Sequence, residues 1–171
     1  MKSAFRPTRL VSRLLAAGAL FAAVSAGATS VSFTALGQQQ TFQWAAANVD
    51  GANLAATVSF TLSAWSTNTA TFSVLMNNST LVANPGTNRM VSFGISVVTP
   101  DLIGVTDNSP TWNTGINANI PGGFGKVDFC AWGGVSCTGG SNGGISEGQS
   151  TSFNVTMSFA QAVQNQSITF T

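Results

Sequence analysis

The chain reads as all-β: an antiparallel β-sandwich of about eight strands, jelly-roll or immunoglobulin-like in type, following an N-terminal signal helix. Three observations predict it. Apolar and hydroxyl-bearing residues alternate with period two in one segment after another. Turn-forming residues separate those segments. Beyond the leader, no stretch keeps an apolar stripe of 3.6-residue period for three turns.

The leader comes first. Lys2, Arg6, Arg9 and Arg13 form a positive n-region, and Leu14 to Val24 is an apolar stretch without charge. Small residues follow, so cleavage is expected after Ala26 or Ala28. The apolar run is about half of the ~20 residues a membrane-spanning helix needs, which favours a signal peptide over residues 1–28 rather than an anchor. The competing mitochondrial presequence would place its apolar residues in a stripe, and here they form a block. Residues 29–171 then make one β-sandwich domain with a single core.

The strands follow in order. Short alternating pieces are expected at Val31–Phe33 and Phe42–Trp44. Longer ones run over Thr57–Ala64, Ala70–Val74 and Val91–Val97, and a short piece covers Val127–Phe129. The cleanest is Phe153–Phe159, and Ile168–Phe170 closes the chain. Each places Val, Ile, Leu or Phe on one face and Ser, Thr or Asn on the other. Between them lie Asn48-Val49-Asp50-Gly51, Asn77-Asn78-Ser79, Asn84-Pro85-Gly86, Pro121-Gly122-Gly123 and Ser141-Asn142-Gly143-Gly144, all turn formers. A closed barrel is the alternative architecture. An outer-membrane barrel is disfavoured because the outward positions are Ser and Thr.

Composition narrows the chemistry. The chain has no His and no Tyr. Beyond the leader only Arg89 and Lys126 are basic, against Asp50, Asp101, Asp107, Asp128 and Glu147, a formal charge of −3. General acid–base catalysis, metal ligation and phosphate clamping all draw on groups that are scarce here. Nucleic acid and anionic membranes find no basic patch. No G-x-S-x-G sequence is present, and no His exists to activate a serine. Charged residues make up 6% of the chain, against about 25% in ordinary soluble domains. So neutral a surface has little colloidal repulsion or edge protection, which makes self-association a natural expectation.

The candidate sites are few. Cys130 and Cys137 enclose Ala-Trp-Gly-Gly-Val-Ser and are expected to form a structural disulfide worth about 2–3 kcal/mol. A redox or zinc role would call for C-x-x-C spacing or further ligands. Trp112 and Trp132 are read as loop residues and are the first places to look for ligand stacking, with capping of the core as the competing role. Trp44 alternates with Phe42 and reads as core, while Trp65 breaks register and reads as outward-facing. No catalytic residue and no cofactor are expected. The weak exception is calcium, for which Asp101, Asp107, Asn108 and Asn113 supply oxygen ligands close in sequence, without an Asp-x-Asp-x-Asp-Gly run. Asp128 and Glu147 are the acids of choice for a glycan hydrolase, the least favoured activity. Asp128 is expected to face solvent beside Lys126. Asn77, Asn78, Asn154 and Asn165 match the N-x-S/T sequon.

Several pieces between Thr57 and Phe159 carry a resemblance. Thr71-Phe72-Ser73-Val74 leads into Asn77-Asn78-Ser79, followed by Val91-Ser92-Phe93-Gly94-Ile95. Phe124-Gly125-Lys126-Val127-Asp128-Phe129-Cys130 pairs with Cys137, and Gly139-Gly140-x-x-Gly143-Gly144-Ile145 runs on to Gly148-Gln149-Ser150. Together these resemble the cistern family, exported bacterial proteins tied to the PEP-CTERM/exosortase system. The resemblance implies a surface or matrix protein with no catalytic residues to carry over. Such proteins end in a Pro-Glu-Pro motif, an apolar helix and an Arg cluster, whereas this sequence stops at Ile168-Thr169-Phe170-Thr171. Truncation within a strand and release without an anchor both stay open. The expected function is a non-enzymatic exported surface or extracellular-matrix protein; the alternatives are a secreted polysaccharide-binding module and, behind it, a secreted glycan hydrolase.

Overall fold

The computed structural model describes residues 30–49, 52–81, 88–120, 125–139 and 143–171. The signal peptide expected over residues 1–28 lies outside them. Every helix or strand among the described residues is a strand, and all strand pairing is antiparallel. No helix there is long and apolar enough to cross a membrane.

Thirteen strands are present among the described residues. β1 (Val31–Phe33), β2 (Gln39–Val49), β3 (Ala52–Trp65) and β4 (Thr69–Asn78) open the chain. β5 (Arg89–Met90), β6 (Ser92–Ile95), β7 (Val98–Thr99), β8 (Leu102–Asp107) and β9 (Asn113–Ile120) follow. β10 (Gly125–Trp132), β11 (Ile145–Ser146), β12 (Ser150–Phe159) and β13 (Ile168–Phe170) complete it. They form a five-stranded sheet β2-β3-β4-β12-β8, two three-stranded sheets β1-β13-β7 and β6-β10-β9, and the pair β11-β5.

All eight expected segments fall wholly or partly within strands, and five further strands raise the number. β9 is the largest addition. Its Asn-Thr-Gly-Ile-Asn-Ala-Asn-Ile sequence has poor intrinsic β-propensity. It is a strand because its residues pair with β10 from Gly125 to Trp132.

The alternation does what the sequence implies on the five-stranded sheet. Val58, Phe60 and Leu62 of β3, Phe72, Val74 and Met76 of β4, and Phe153, Val155, Met157 and Phe159 of β12 are buried on one face. Across from them lie Phe33 and Phe170 of one three-stranded sheet and Phe93 and Phe129 of the other. Phe60 is the hub. Its ring meets Phe93, Phe129 and Phe170 at 6.0, 6.1 and 5.2 Å between centroids, mostly edge-to-face, the geometry aromatic quadrupoles favour.

Two local irregularities redirect side chains. The β3–β4 ladder slips between Leu62 and Ala64, and Trp65 then pairs with the buried Ala70 and packs against the core. Its expected outward orientation is thus corrected by a β-bulge. On β10, Val127 joins Cys130 in a small separate apolar cluster while Phe129 belongs to the main core. Strict alternation would put Val127 and Phe129 on one face. The reversal occurs at Asp128, which lies across from Asn117, held at φ 54°.

Candidate functional site

The most extended chemical feature is the outer face of the five-stranded sheet. The register aligns its outward residues in rows across the strands. One row runs Gln43, Thr57, Asn77, Ser150; the next Thr41, Ser59, Leu75, Ser152; the third Gln39, Thr61, Ser73, Asn154. A fourth joins Thr71, Thr156 and Thr106. Neighbours in a row are ~4.8 Å apart, and rows follow every ~6.7 Å along the strands. The side chains bond along the rows: the hydroxyls of Thr41 and Ser59 at 2.7 Å, of Thr71 and Thr156 at 3.0 Å, and the Gln39 amide donating to Thr61 at 3.2 Å. At the β12 end, the Asn108 side-chain oxygen accepts the Asn154 N–H. No ionisable residue stands in these rows, and Leu75 is their single large apolar member, 48% exposed. Neutral hydroxyls and amides both donate and accept, so the face offers a repeated hydrogen-bonding lattice and no group suited to moving a proton at neutral pH.

The expected disulfide is present: Cys130 and Cys137 are bonded, with Cα atoms 6.2 Å apart. It sits on the outer face of the β6-β10-β9 sheet, in the small cluster with Val127, against which Ala118, Ile120 and Trp132 pack. The floor is made by two glycines flanking Cys130 in the ladder, Gly94 on β6 and Gly115 on β9. A Cβ on Gly94 would strike Ile120 and Val127, and one on Gly115 would come within 3.2 Å of the Trp132 ring. Trp132 thus lies diagonally across its neighbouring strand and covers a bare glycine, as aromatic side chains do in natural sheets. The sequence does not disclose the role of these two glycines, because it depends on the β6–β10–β9 register.

Trp132 is therefore the last residue of β10 and not a loop residue; it is half-buried. Trp112 is in a loop but is only 3% exposed, its ring stacked on Phe153 at 6.3 Å and 14°. The structure does not bring the two rings together. Trp112 forms part of the wall of a groove of about 530 Å³, with Gly133, Gly143, Gly144, Gln149 and Ser150 among its other lining residues. Gly144 has φ +93°, and a Cβ there would collide with Met90 O, so glycine is required where this loop crosses the end of β5. Trp44, expected in the core, is 38% exposed and stacks on Phe42 at 6.2 Å.

Three of the acids, Asp107, Asp128 and Glu147, are engaged in structure. Asp107 accepts the Ser109 N–H at 3.0 Å on one oxygen and the Thr114 hydroxyl at 2.8 Å on the other. Asp128 turns to the Val98 N–H at 2.9 Å, instead of standing in solvent beside Lys126. Glu147 Oε1 accepts the Asn88 N–H at 2.6 Å and its amide at 3.2 Å. Of the residues proposed for calcium, Asp107 and Asn108 are thus bonded to the β8–β9 turn and to β12. Among the described residues no group of three His, Cys, Asp or Glu is placed to hold a metal. Asp50 lies outside the described residues.

Asn78 is the buried polar centre of the fold, 2% exposed. Its amide donates to Ile145 O at 2.9 Å and to Asn88 O at 3.3 Å, and its carbonyl oxygen accepts the Thr80 N–H at 3.2 Å. It ties the end of β4 to the β5–β11 pair, a role its turn-like Asn-Asn-Ser context does not disclose. Against this geometry, no family model matches the chain, and neither a curated protein nor a solved structure does.

Proposed function

We propose that the chain is a non-enzymatic structural protein of the bacterial surface or extracellular matrix, exported by its leader. Its sheets stack as an antiparallel β-sandwich around Phe60. The single observation that supports this most is the uncharged lattice of Ser, Thr, Asn and Gln on the five-stranded sheet. Such a face makes many weak neutral hydrogen bonds to a polymer or a neighbouring molecule, and it lacks the long-range repulsion that keeps soluble domains apart. The engagement of Asp107, Asp128 and Glu147 in backbone hydrogen bonds supports the absence of a hydrolytic function.

The test is fractionation of the native host with an antibody to the folded domain. Recovery in the surface or matrix fraction, with the leader cleaved after Ala26 or Ala28, is the expected result. Retention in the cytoplasm with Met1 still present would remove the proposal.

A second reading, polysaccharide binding, draws on the groove walled by Trp112, Gln149 and Ser150. Saturable glycan binding on an array, lost in Gln149→Ala with the fold intact, would put this reading first.

A further inference from the structure

We infer that β2 is a self-complementary edge through which two copies of this chain pair into a closed, two-fold symmetric dimer. The inference deepens the surface-protein reading by naming a partner for it. It stands on three observations that are independent of export.

The first is an asymmetry between the edges of the five-stranded sheet. β8 closes one side: it is six residues long, is preceded by Pro100 and Asp101, ends in Asp107, and has β9 running beside it. Charge, proline and a covering strand are the devices that blunt edges. β2 closes the other side. It is eleven residues long, Gln-Gln-Thr-Phe-Gln-Trp-Ala-Ala-Ala-Asn-Val, with no charge and no proline. Among the described residues no strand pairs with its outer side.

The second is the direction of its backbone groups. Leu62 N–H donates to Gln38 O, and antiparallel ladders alternate between bonded and non-bonded pairs. The even-numbered residues of β2 therefore bond to β3. Thr41, Gln43 and Ala45, exposed along the edge, turn their N–H and C=O groups away from it. Those three can form a matching ladder with the same three residues of an antiparallel copy.

The third is the exposed aromatic surface beside that ladder. Trp44 is 38% exposed and stacks on Phe42. With the two-fold axis at Gln43, Thr41 faces Ala45 of the second copy, and Trp44 faces the second copy's Phe42. Two exposed indoles gain cover, and the two Gln43 amides meet. Because β2 is the one open edge of the five-stranded sheet among the described residues, pairing through it stops at two copies, as an isologous interface requires.

The experiment is sedimentation of the purified folded protein over a range of concentrations, with two substitutions at Gln43 that leave the β3 ladder untouched and a third, at Ser152, as a control. Wild type is expected to dimerise reversibly and to form nothing larger. Gln43→Lys sets two ammonium groups face to face and is expected to weaken the dimer roughly tenfold or more, leaving the denaturation midpoint of the monomer in place. Gln43→Cys is expected to cross-link on mild oxidation, since residues in a bonded pair have Cα atoms ~5.5 Å apart. Ser152→Cys, on the exposed sheet face, is expected to form no cross-link under the same oxidation. A wild type that is monomeric throughout, a dimer indifferent to Gln43→Lys, equal cross-linking at both positions, or open-ended polymers would each overturn the inference. None of these outcomes bears on whether the protein reaches the cell surface, which fractionation decides separately.

Discussion

The outer faces of the β2-β3-β4-β12-β8 sheet and the β6-β10-β9 sheet solve the same problem by opposite chemistry. The first leaves Ser, Thr, Asn and Gln in solvent, bonded to one another along rows. The second is covered: a disulfide-closed loop and Trp132 lie over a floor of Gly94 and Gly115. Period-two alternation is a sufficient guide to a sheet with one wet face. It fails for a sheet with a second apolar layer, where outward positions also become apolar or lose their side chains. The difference shows in how single changes should register.

Breaking the covered face should have the largest effect. Replacing Cys130 and Cys137 together by Ala removes the cross-link and is expected to destabilise the protein by about 2–3 kcal/mol. The check is a denaturant titration, with reduced wild type falling to the same midpoint. Equal stability in the oxidised and reduced proteins would mean that the loop adds no cohesion to its sheet.

Gly94→Ala tests the floor directly. The added methyl meets Ile120, Val127 and, at 3.1 Å, Phe129 O, so a loss of about 1–3 kcal/mol is expected from overpacking. Gly115→Ala meets only the Trp132 ring and is expected to lose less, with a change in tryptophan fluorescence as the indole shifts.

The smallest effect belongs to the open face. Thr41→Ala removes one hydroxyl bond between exposed side chains and is expected to change stability by no more than about 0.5 kcal/mol. A larger loss would show that the hydroxyl rows hold the sheet together, and the contrast between the two faces would narrow.

These two faces also mark what the sequence could disclose. The strands around Phe60, Phe72 and Val155 are legible because inside each strand, Val74 before Leu75 apart, buried residues are followed by small polar ones. Cys130 and Cys137 are legible as a pair because the short interval between them fits a turn. β9 is not legible, since Asn, Gly and Ala dominate it and its pairing partner supplies the order. Alternation alone sends Asp128 to solvent, because the reversal opposite Asn117 depends on a left-handed backbone angle that Asn tolerates and that no periodicity records. Trp44 and Trp65 exchanged roles for similarly non-local reasons. Trp65 is turned inward by a bulge, and Trp44 stands where the sheet ends. The hydroxyl lattice lies between these cases. Its residues are visible one strand at a time, and its rows exist only once the register is known.

Asn78 has a practical consequence for anyone producing the protein. Asn78-Ser79-Thr80 satisfies the acceptor rule of eukaryotic oligosaccharyltransferase, an enzyme that acts on nascent chains before they fold. Both amide protons of Asn78 are engaged inside the finished domain, so a glycan attached there has no room and takes away the donors that hold the β5–β11 pair. Yeast or mammalian secretion is therefore expected to yield a misfolded glycoform, whereas export to a bacterial periplasm supplies the same oxidising conditions without that modification.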